Sequence, residues 1–598
     1  MITQKLLRRG IPFLAGATAA TAFTAGANVV AAATAAVVAA AATPQRPNII
    51  VILTDDMGYS DLGCFGSEIE TPNLDRLAQG GLKLTQFYTT PRCCPTRASL
   101  LTGLYSHQAG IGNMMQDNHI PGYRGELGKD TVTIAEELKG AGYATAAIGK
   151  WHVCHINFDG KRQLNFESKK PFWDTKDNWP LQRGFDSYFG TIHGVNSYYD
   201  PFSLVDGNNP VDAPQVSKNF YYTDVLTDKA VAQIDAFAAG GGKPFFMYLA
   251  YTAAHWPLQA PEPVIAKYRE RYLAGSDKIR EARHRRQLQM GLIDKNWPLS
   301  PRDPRATTWE KTPDHEWEAN RMATYAAMVE IMDQGVGRIH DELKAKGMDK
   351  NTLIVFLSDN GGCAEGIGAG YYDVPSRLRD GRPVKVGNND HTIMAGPEDV
   401  WQSYGPRWAN VSDTPFLRYK HFTHEGGIST ACIMHWPDGI KHPGTVTNQV
   451  GHIIDLLPTF ADIAGATHPA TRAGHPVQPL EGRSLLPVIE GGTREAAPLF
   501  WEHEGNRAVR AGDWKLVALN NKPWELYNMA ADRTERNDLA AATPEKVAEL
   551  DKLWNAWAKR CHVLPKPREA KQDKKQDRKA AKPGKKAEKK AGKKLIYQ

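Results

Sequence analysis

Short apolar runs alternate with longer stretches of helical spacing through most of this chain. Asn48-Ile49-Ile50-Val51-Ile52-Leu53 is apolar almost throughout, the pattern of a strand buried on both faces. Residues 245–250 and 353–357 repeat it, and residues 143–148 and 431–435 predict two more strands. Between them, Thr71-Pro72-Asn73-Leu74 opens a helix with Thr71 as its cap. Residues 133–139 are helical, a long amphipathic helix covers 316–346, and another lies near 453–457. This alternation predicts an α/β fold built on a mainly parallel sheet.

The pattern changes after about Gly491. Strands become short and polar, as in Ala508-Val509-Arg510 and Trp514-Lys515-Leu516-Val517, with a turn at 528–532 and a closing helix at 544–559. That predicts a small C-terminal subdomain with an antiparallel sheet. Residues 265–315, rich in Arg, Lys and Pro, read as a surface insertion. No internal repeat is visible.

Charge sharpens the boundaries. The chain has 598 residues and a net charge of +7. Residues 565–598 carry 14 Lys/Arg against 4 Asp/Glu, and residues 1–46 carry four cations and no acid. The body between is therefore mildly acidic. The Lys/Ala-rich tail predicts disorder. Lys5, Arg8 and Arg9 precede a long uncharged Ala/Val/Thr run, an export signal with small-residue cleavage sites. An uncleaved membrane anchor is the alternative, and Arg8-Arg9 suits twin-arginine export, with a weak continuation. The expected organisation is a signal segment at 1–43, a catalytic domain at 47–490, a C-terminal subdomain at 491–564 and a disordered basic tail at 565–598. Export points to the periplasm or the exterior. Seven cysteines in so long a chain make no disulfide framework, and no CxxC pair suggests structural zinc.

Candidate chemistry gathers where strands end. Asp55-Asp56 follows the first strand and Asp359-Asn360 follows another. Ligand sites of parallel α/β sheets lie at those ends. Neighbouring carboxylates repel unless a cation sits between them, and three carboxylates with an amide oxygen suit Ca²⁺ or Mg²⁺ rather than zinc. Lys150 and His152 are two apart at another strand end, so both can point one way. In Arg92-Cys93-Cys94-Pro95-Thr96-Arg97, Pro95 marks a first helical turn. Cys93 is expected just before that helix, where free N–H groups favour an anion, with Arg97 one turn along. Taken alone, His255 after a core strand is a loop histidine and Lys420 is surface charge.

Cys93-x-Pro95-x-Arg97 with Leu101-Thr102-Gly103, and Gly142-Tyr143-Ala144-Thr145 through Gly149-Lys150-Trp151-His152, resemble the two signatures of type I sulfatases. Other landmarks follow in order over about residues 47–540, and some stretches look especially like bacterial arylsulfatases. The resemblance implies an alkaline-phosphatase-like fold, a large mixed, mainly parallel sheet between helices with the smaller C-terminal subdomain. It implies that Cys93, not Cys94, is converted to formylglycine by a maturation enzyme, and that the aldehyde hydrate is the nucleophile. It assigns one divalent cation, usually Ca²⁺, to Asp55, Asp56, Asp359 and Asn360. Lys150 and His152 would bind the formylglycine hydroxyl and the sulfate, Lys420 a sulfate oxygen, and His255 the leaving-group oxygen. Asp359 would accept the nucleophile's proton. The implied substrates are sulfate esters, aryl or carbohydrate.

Cys94 stands where serine is more usual, and Cys154 follows His152; neither alters an expected ligand, although either thiol could trap Cys93 as a disulfide. A phosphate- or phosphonate-ester hydrolase of the same superfamily is the rival reading; the oxygen-only ligand set argues against the phosphate enzymes, and phosphonate monoester hydrolases, which share Cys-x-Pro-x-Arg, are the nearer rival. A non-catalytic binder of sulfated polymers is the rival of another class, since the basic tail could contact polyanions by counterion release. Nothing but that tail favours nucleic acid, and no specific nucleic-acid partner is expected. Segments 155–220, 265–315 and 375–412 are the expected specificity loops.

Overall fold

A computed structural model describes residues 46–155, 176–368 and 374–567. The expected export signal at 1–43, and all of the expected disordered tail beyond residue 567, lie outside the described residues. Among those residues no helix is long and apolar enough to cross a membrane.

Among the described residues the main sheet has eleven strands. In chain order they are β1 (Asn48–Thr54), β2 (Leu82–Tyr88), β3 (Ala144–Gly149), β4 (Ser187–Thr191), β5 (Leu204–Asp206), β6 (Asn209–Pro210), β7 (Phe245–Ala250), β8 (Thr352–Ser358), β9 (Ser429–His435), β10 (Thr445–Thr447) and β11 (Gly451–His452). Their order across the sheet is β10-β2-β9-β8-β1-β7-β3-β4-β5-β6, with β11 also on β2. The run β8-β1-β7-β3-β4 is parallel. β9 is antiparallel to both β8 and β2, so β2 points the same way as β8.

The helices that cover the sheet are α1 (Pro72–Gln79), α2 (Cys93–Thr102), α3 (Ile134–Gly140), α4 (Tyr222–Ala239), α5 (Glu262–Tyr272), α6 (Ser276–Gln289), α7 (His315–Ala345), α8 (Leu456–Ala464) and α9 (Pro544–Arg560). Side chains alternate along the central strands. Ile50, Met247, Leu249 and Phe356 join one core with α1, α4, α5 and α7. Val51, Phe246, Tyr248 and Leu357 join the other with α2, α3, α8 and α9. Each fully buried side chain of this kind contributes about 1.5–3 kcal/mol, which is why these strands read as unbroken apolar runs.

Two local expectations fail for physical reasons. Thr71 does not cap α1 with its side chain. Its hydroxyl instead accepts from the Gly63 amide at 2.8 Å. Asp333, inside α7, takes the amides of Asn73 at 3.1 Å and Leu74 at 2.8 Å, so a neighbouring helix supplies the cap. The charged stretch 265–315 is not merely a surface insertion. It contains most of α5 and all of α6, and Arg283 is fully buried against Asp61 at 2.5 Å and Glu68 at 2.7 Å. Its charges are paired inside, so composition reads as surface what is interior.

The smaller sheet runs β12 (Leu499–His503), β13 (Asn506–Ala511), β14 (Trp514–Ala518) and β15 (Glu525–Asn528), all antiparallel. Trp501 packs edge-on to Tyr88 of β2 at 5.5 Å and donates to the Thr89 carbonyl at 2.8 Å. α9 closes over it, with Trp557 stacked on Phe500 at 5.2 Å. Glu425, ahead of β9, lies at the centre of the junction. It pairs with Lys515 at 2.9 Å and Arg533 at 2.7 Å and accepts from Tyr88 at 2.8 Å, with all four groups buried. Burial works against its charge, but Lys515, Arg533 and Arg510 outweigh it and hold the carboxyl down at about 2.

Removing one member of a buried network leaves the others as unpaired charges, at a cost of about 3–5 kcal/mol, whereas an exposed pair contributes less than about 1 kcal/mol. Glu425→Ala should therefore lower the guanidinium unfolding midpoint clearly. Glu549→Ala, which breaks the exposed pair with Lys546, should barely move it. Equal shifts would refute a central role for the junction.

Candidate active site

Strands β8, β1, β7 and β3 lie side by side and end at one edge of the sheet. The residues just beyond them are Asp359-Asn360, Asp55-Asp56, the segment leading to His255, and Lys150 to His152. Backbone hydrogen bonds run past the strand ends. The Asp55 amide donates to Ala253 O at 3.0 Å, Asp359 to Thr54 O at 3.0 Å and Lys150 to Ala250 O at 2.9 Å. The candidate side chains thus stand on hydrogen-bonded backbone. β2 ends at the same edge, and α2 starts there with Cys93 as its first residue and Arg92 as its N-cap. Cys93 lies inside the first turn rather than ahead of it, and Pro95 is third. β9 runs the other way and begins at this edge, which brings Lys420 to the site from the chain ahead of it.

The ten predicted residues meet in one place. None is more than 3% exposed, so their charges must balance internally. Arg97 Nη2 donates to Asp359 Oδ2 at 2.7 Å and lies 3.5 Å from Asp55 Oδ2. Lys150 Nζ pairs with Asp55. Lys420 Nζ reaches Asp56 Oδ1 at 2.8 Å, and His255 Nε2 lies 3.3 Å from Asp56 Oδ2. Asn360 Nδ2 donates to Asp56 Oδ1 at 2.7 Å. The Asp56 amide, 3.3 Å from Asp359 Oδ1, joins the two halves. Cys93, Cys94 and His152 bring ligand atoms within 4.8 Å of one another.

This crowding shifts protonation. Burial, with Asp55 beside it, pushes Asp359 well above the usual carboxylate range, against Arg97. Burial also opposes charge on Asp55, but Lys150, His255 and Arg97 hold it below its ordinary value. A hydrogen bond from Cys94, with Lys150 and His152 nearby, holds the Cys93 thiol well below its usual range despite burial. Burial pushes His152 down to about 4 and also lowers His255.

Two features fit a hard divalent cation. The Oδ1 atoms of Asp55 and Asn360 are buried and have no hydrogen-bond partner among the described residues. Buried orphan oxygens of this kind cost about 1–3 kcal/mol each unless something binds them. Every proposed donor is oxygen, with no sulfur, as Ca²⁺ and Mg²⁺ require. His255 also lies within ligand distance of Asp55 and Asp56.

Other parts of the site escaped sequence reasoning. Glu365 accepts from Arg92 at 2.6 Å, Trp256 Nε1 at 2.8 Å and His421 Nε2 at 2.9 Å, and so ties the residues flanking Cys93, His255 and Lys420 together. Its one signal was an acid six residues beyond Asp359, in a segment without periodicity. Gly194 is needed for space, because a Cβ there would lie 2.1 Å from the His152 ring. His152 itself holds a left-handed φ of 56° and Asp56 one of 58°, strain that persists only where surroundings impose it. Of the expected specificity loops, 156–175 lies outside the described residues. Residues 400–403 do reach the site, with Trp401 6.4 Å from Trp256 and Ser403 bonded to the Glu365 carbonyl.

Comparison with known proteins gives the family. The sulfatase family model matches residues 47–466, and the C-terminal model of N-sulphoglucosamine sulphohydrolase matches 417–557. An uncharacterised sulfatase of Schizosaccharomyces pombe is 34% identical over 547 residues, covering 88% of this chain and 95% of that protein. An arylsulfatase of Klebsiella aerogenes is 35% identical over 459 residues, covering 74% and 92%. The crystal structure of Ps i-CgsB with k-i-k-neocarrahexaose superposes with a TM-score of 0.59 at 26% identity, covering 86% of this chain and 93% of that one. The chain belongs to the sulfatase family and is a sulfatase.

Proposed function

We propose that this enzyme hydrolyses sulfate monoesters, aryl or carbohydrate, through a formylglycine at position 93 and one divalent cation, Ca²⁺ or Mg²⁺. The observation that carries it is the buried meeting of Cys93 with three cations and three carboxylates at one sheet edge. Cys93, once converted, supplies as its hydrate two hydroxyls, one to attack sulfur and one to release sulfate. Asp55, Asp56, Asp359 and Asn360 would hold the cation, which would supply positive charge against the developing negative charge on sulfate.

The remaining steps belong to side chains. Arg97, Lys150 and Lys420 present positive charge to an anion in a site closed to water, where each interaction is stronger than in solvent. They are held in place by carboxylates, so little reorganisation is needed during reaction. Asp359, held by Arg97 at 2.7 Å, is ionised when a cation stands beside it and in that form is the acceptor for the nucleophile's proton. His255 donates from Nδ1 to the Trp256 carbonyl at 2.6 Å, which leaves Nε2 facing the site; Nε2 must first take up a proton, a charged form that Asp56 Oδ2 at 3.3 Å favours, and can then deliver it to the departing oxygen. His152 is held neutral by burial, and its Nδ1 has no partner among the described residues. It can take the proton of the second hydroxyl.

Export, maturation by a formylglycine-generating enzyme and contact of the basic tail with polyanions belong to the same proposal. They rest on the N-terminal pattern, on Cys93-x-Pro95-x-Arg97 and on the charge of the tail.

Parallel assays with an aryl sulfate and an aryl phosphonate test the reaction class. The sulfate should be the better substrate by kcat/KM. Cys93→Ala should retain at most about 10⁻³ of wild-type activity, and Cys94→Ala most of it. A preference for the phosphonate, or an active Cys93→Ala enzyme, would refute the proposal. Exhaustive chelation should lower kcat/KM by about 100-fold or more, with recovery on adding Ca²⁺ or Mg²⁺. Undiminished turnover after chelation would exclude the cation.

A further inference from the structure

Beside the charged cage, and outside the proposed chemistry, stand His421, His503 and Glu504. His421 follows Lys420. His503 ends β12, and Glu504 begins the turn into β13. The loop ahead of β9 and the C-terminal hairpin therefore meet here, and Asn506 Nδ2 donates to the His421 carbonyl at 3.0 Å. His421 Nδ1 lies 2.9 Å from Glu504 Oε2, and His503 Nε2 lies 3.7 Å from Glu504 Oε1. All three residues bring a ligand atom within 4.8 Å of the others.

A second observation points to a ligand. His503 is fully buried, yet neither ring nitrogen has a hydrogen-bond partner among the described residues. A buried imidazole left this way is costly unless something takes its lone pair. His421 and Glu504 both hold left-handed backbone, with φ of 79° and 53°, strain of the sort that gathers at binding sites.

The surroundings resemble the outer shell of a metal-bound histidine. His421 turns its other nitrogen, Nε2, to Glu365 Oε1 at 2.9 Å, the carboxylate–histidine arrangement that fixes ring and tautomer. Arg92 Nη1 pairs with Glu365 at 2.6 Å and lies 3.1 Å from His421 Nδ1, a contact that a bound ion would take over. Lys420 is 3.9 Å from Glu365 but spends its charge on Asp56. Glu365 and Glu504 thus outnumber Arg92 locally, leaving room for added positive charge. The Glu504 side chain is 42% exposed and opens the cluster to solvent.

We infer that His421, His503 and Glu504 form a second metal site, distinct from the oxygen-donor cage, at the seam between the Lys420 loop and the C-terminal hairpin. Two imidazoles and one carboxylate suit Zn²⁺ and not Ca²⁺ or Mg²⁺. Ligands about 2.0–2.2 Å from a tetrahedral ion lie about 3.3–3.5 Å apart, between the two separations found here. With three protein ligands, a water reaching the cluster past the exposed Glu504 would complete the coordination. A metal there ties the hairpin to the loop that carries Lys420.

Calorimetric titration of the full-length protein with Zn²⁺, in Ca²⁺ sufficient to fill the cage, tests this. Wild type should bind one more Zn²⁺ per chain than Glu504→Gln, or bind it at least about ten-fold more tightly. His503→Asn should show the same loss. Zn²⁺ should raise the thermal midpoint of wild type and not of Glu504→Gln. Because Glu504 is partly exposed, its variant keeps the test valid if the His503 variant misfolds. Equal stoichiometry and affinity in wild type and Glu504→Gln would overturn the site.

Discussion

The structure depends on keeping opposite charges together where water is excluded. Asp55, Asp56 and Asp359 face Arg97, Lys150 and Lys420, all at most 1% exposed. A single buried charge costs several kcal/mol, and only close pairing repays it. That pairing is close only if strand ends, a helix start and a loop are held in register. The parallel run β8-β1-β7-β3 supplies three carboxylates, an amide, a lysine and two histidines from one edge. The antiparallel placement of β9 lets β2 end, and α2 begin, at that same edge.

The second buried network extends this constraint to the C-terminal sheet. Glu425 lies five residues beyond Lys420, and its partners Lys515 and Arg533 come from the smaller subdomain. The loop that presents Lys420 is therefore pinned from behind by charge pairs and from the side by Glu365 and His421. The C-terminal subdomain contributes none of the ten cage residues, yet its hairpin and its buried cations fix one of them. Geometry at the cage and stability of the junction are thus parts of one structural problem.

Much of this was legible in the sequence. The central strands are apolar on both faces because both are covered, and that pattern is visible in the residues themselves. Asp55-Asp56, Asp359-Asn360, Lys150 and His152 were found because strand ends are where α/β sheets keep their ligands. His255 and Lys420 became visible only through family resemblance, since each looks ordinary alone. Glu365 and Asp333 stayed hidden because their partners are distant in sequence, and no local spacing encodes a long-range pair. The charged stretch around Arg283 misled for the same reason. Its partners Asp61 and Glu68 lie more than 200 residues away.

The central claim concerns the chemical state of residue 93 inside this cage. Trypsin should release the peptide Cys93–Arg97 from active enzyme, and its mass reads that state directly. Conversion of cysteine to formylglycine replaces H₂S by O and lowers the mass by about 18 Da. The account predicts that the lighter peptide appears in proportion to specific activity. Fully active enzyme carrying only the unmodified thiol at Cys93 would contradict it.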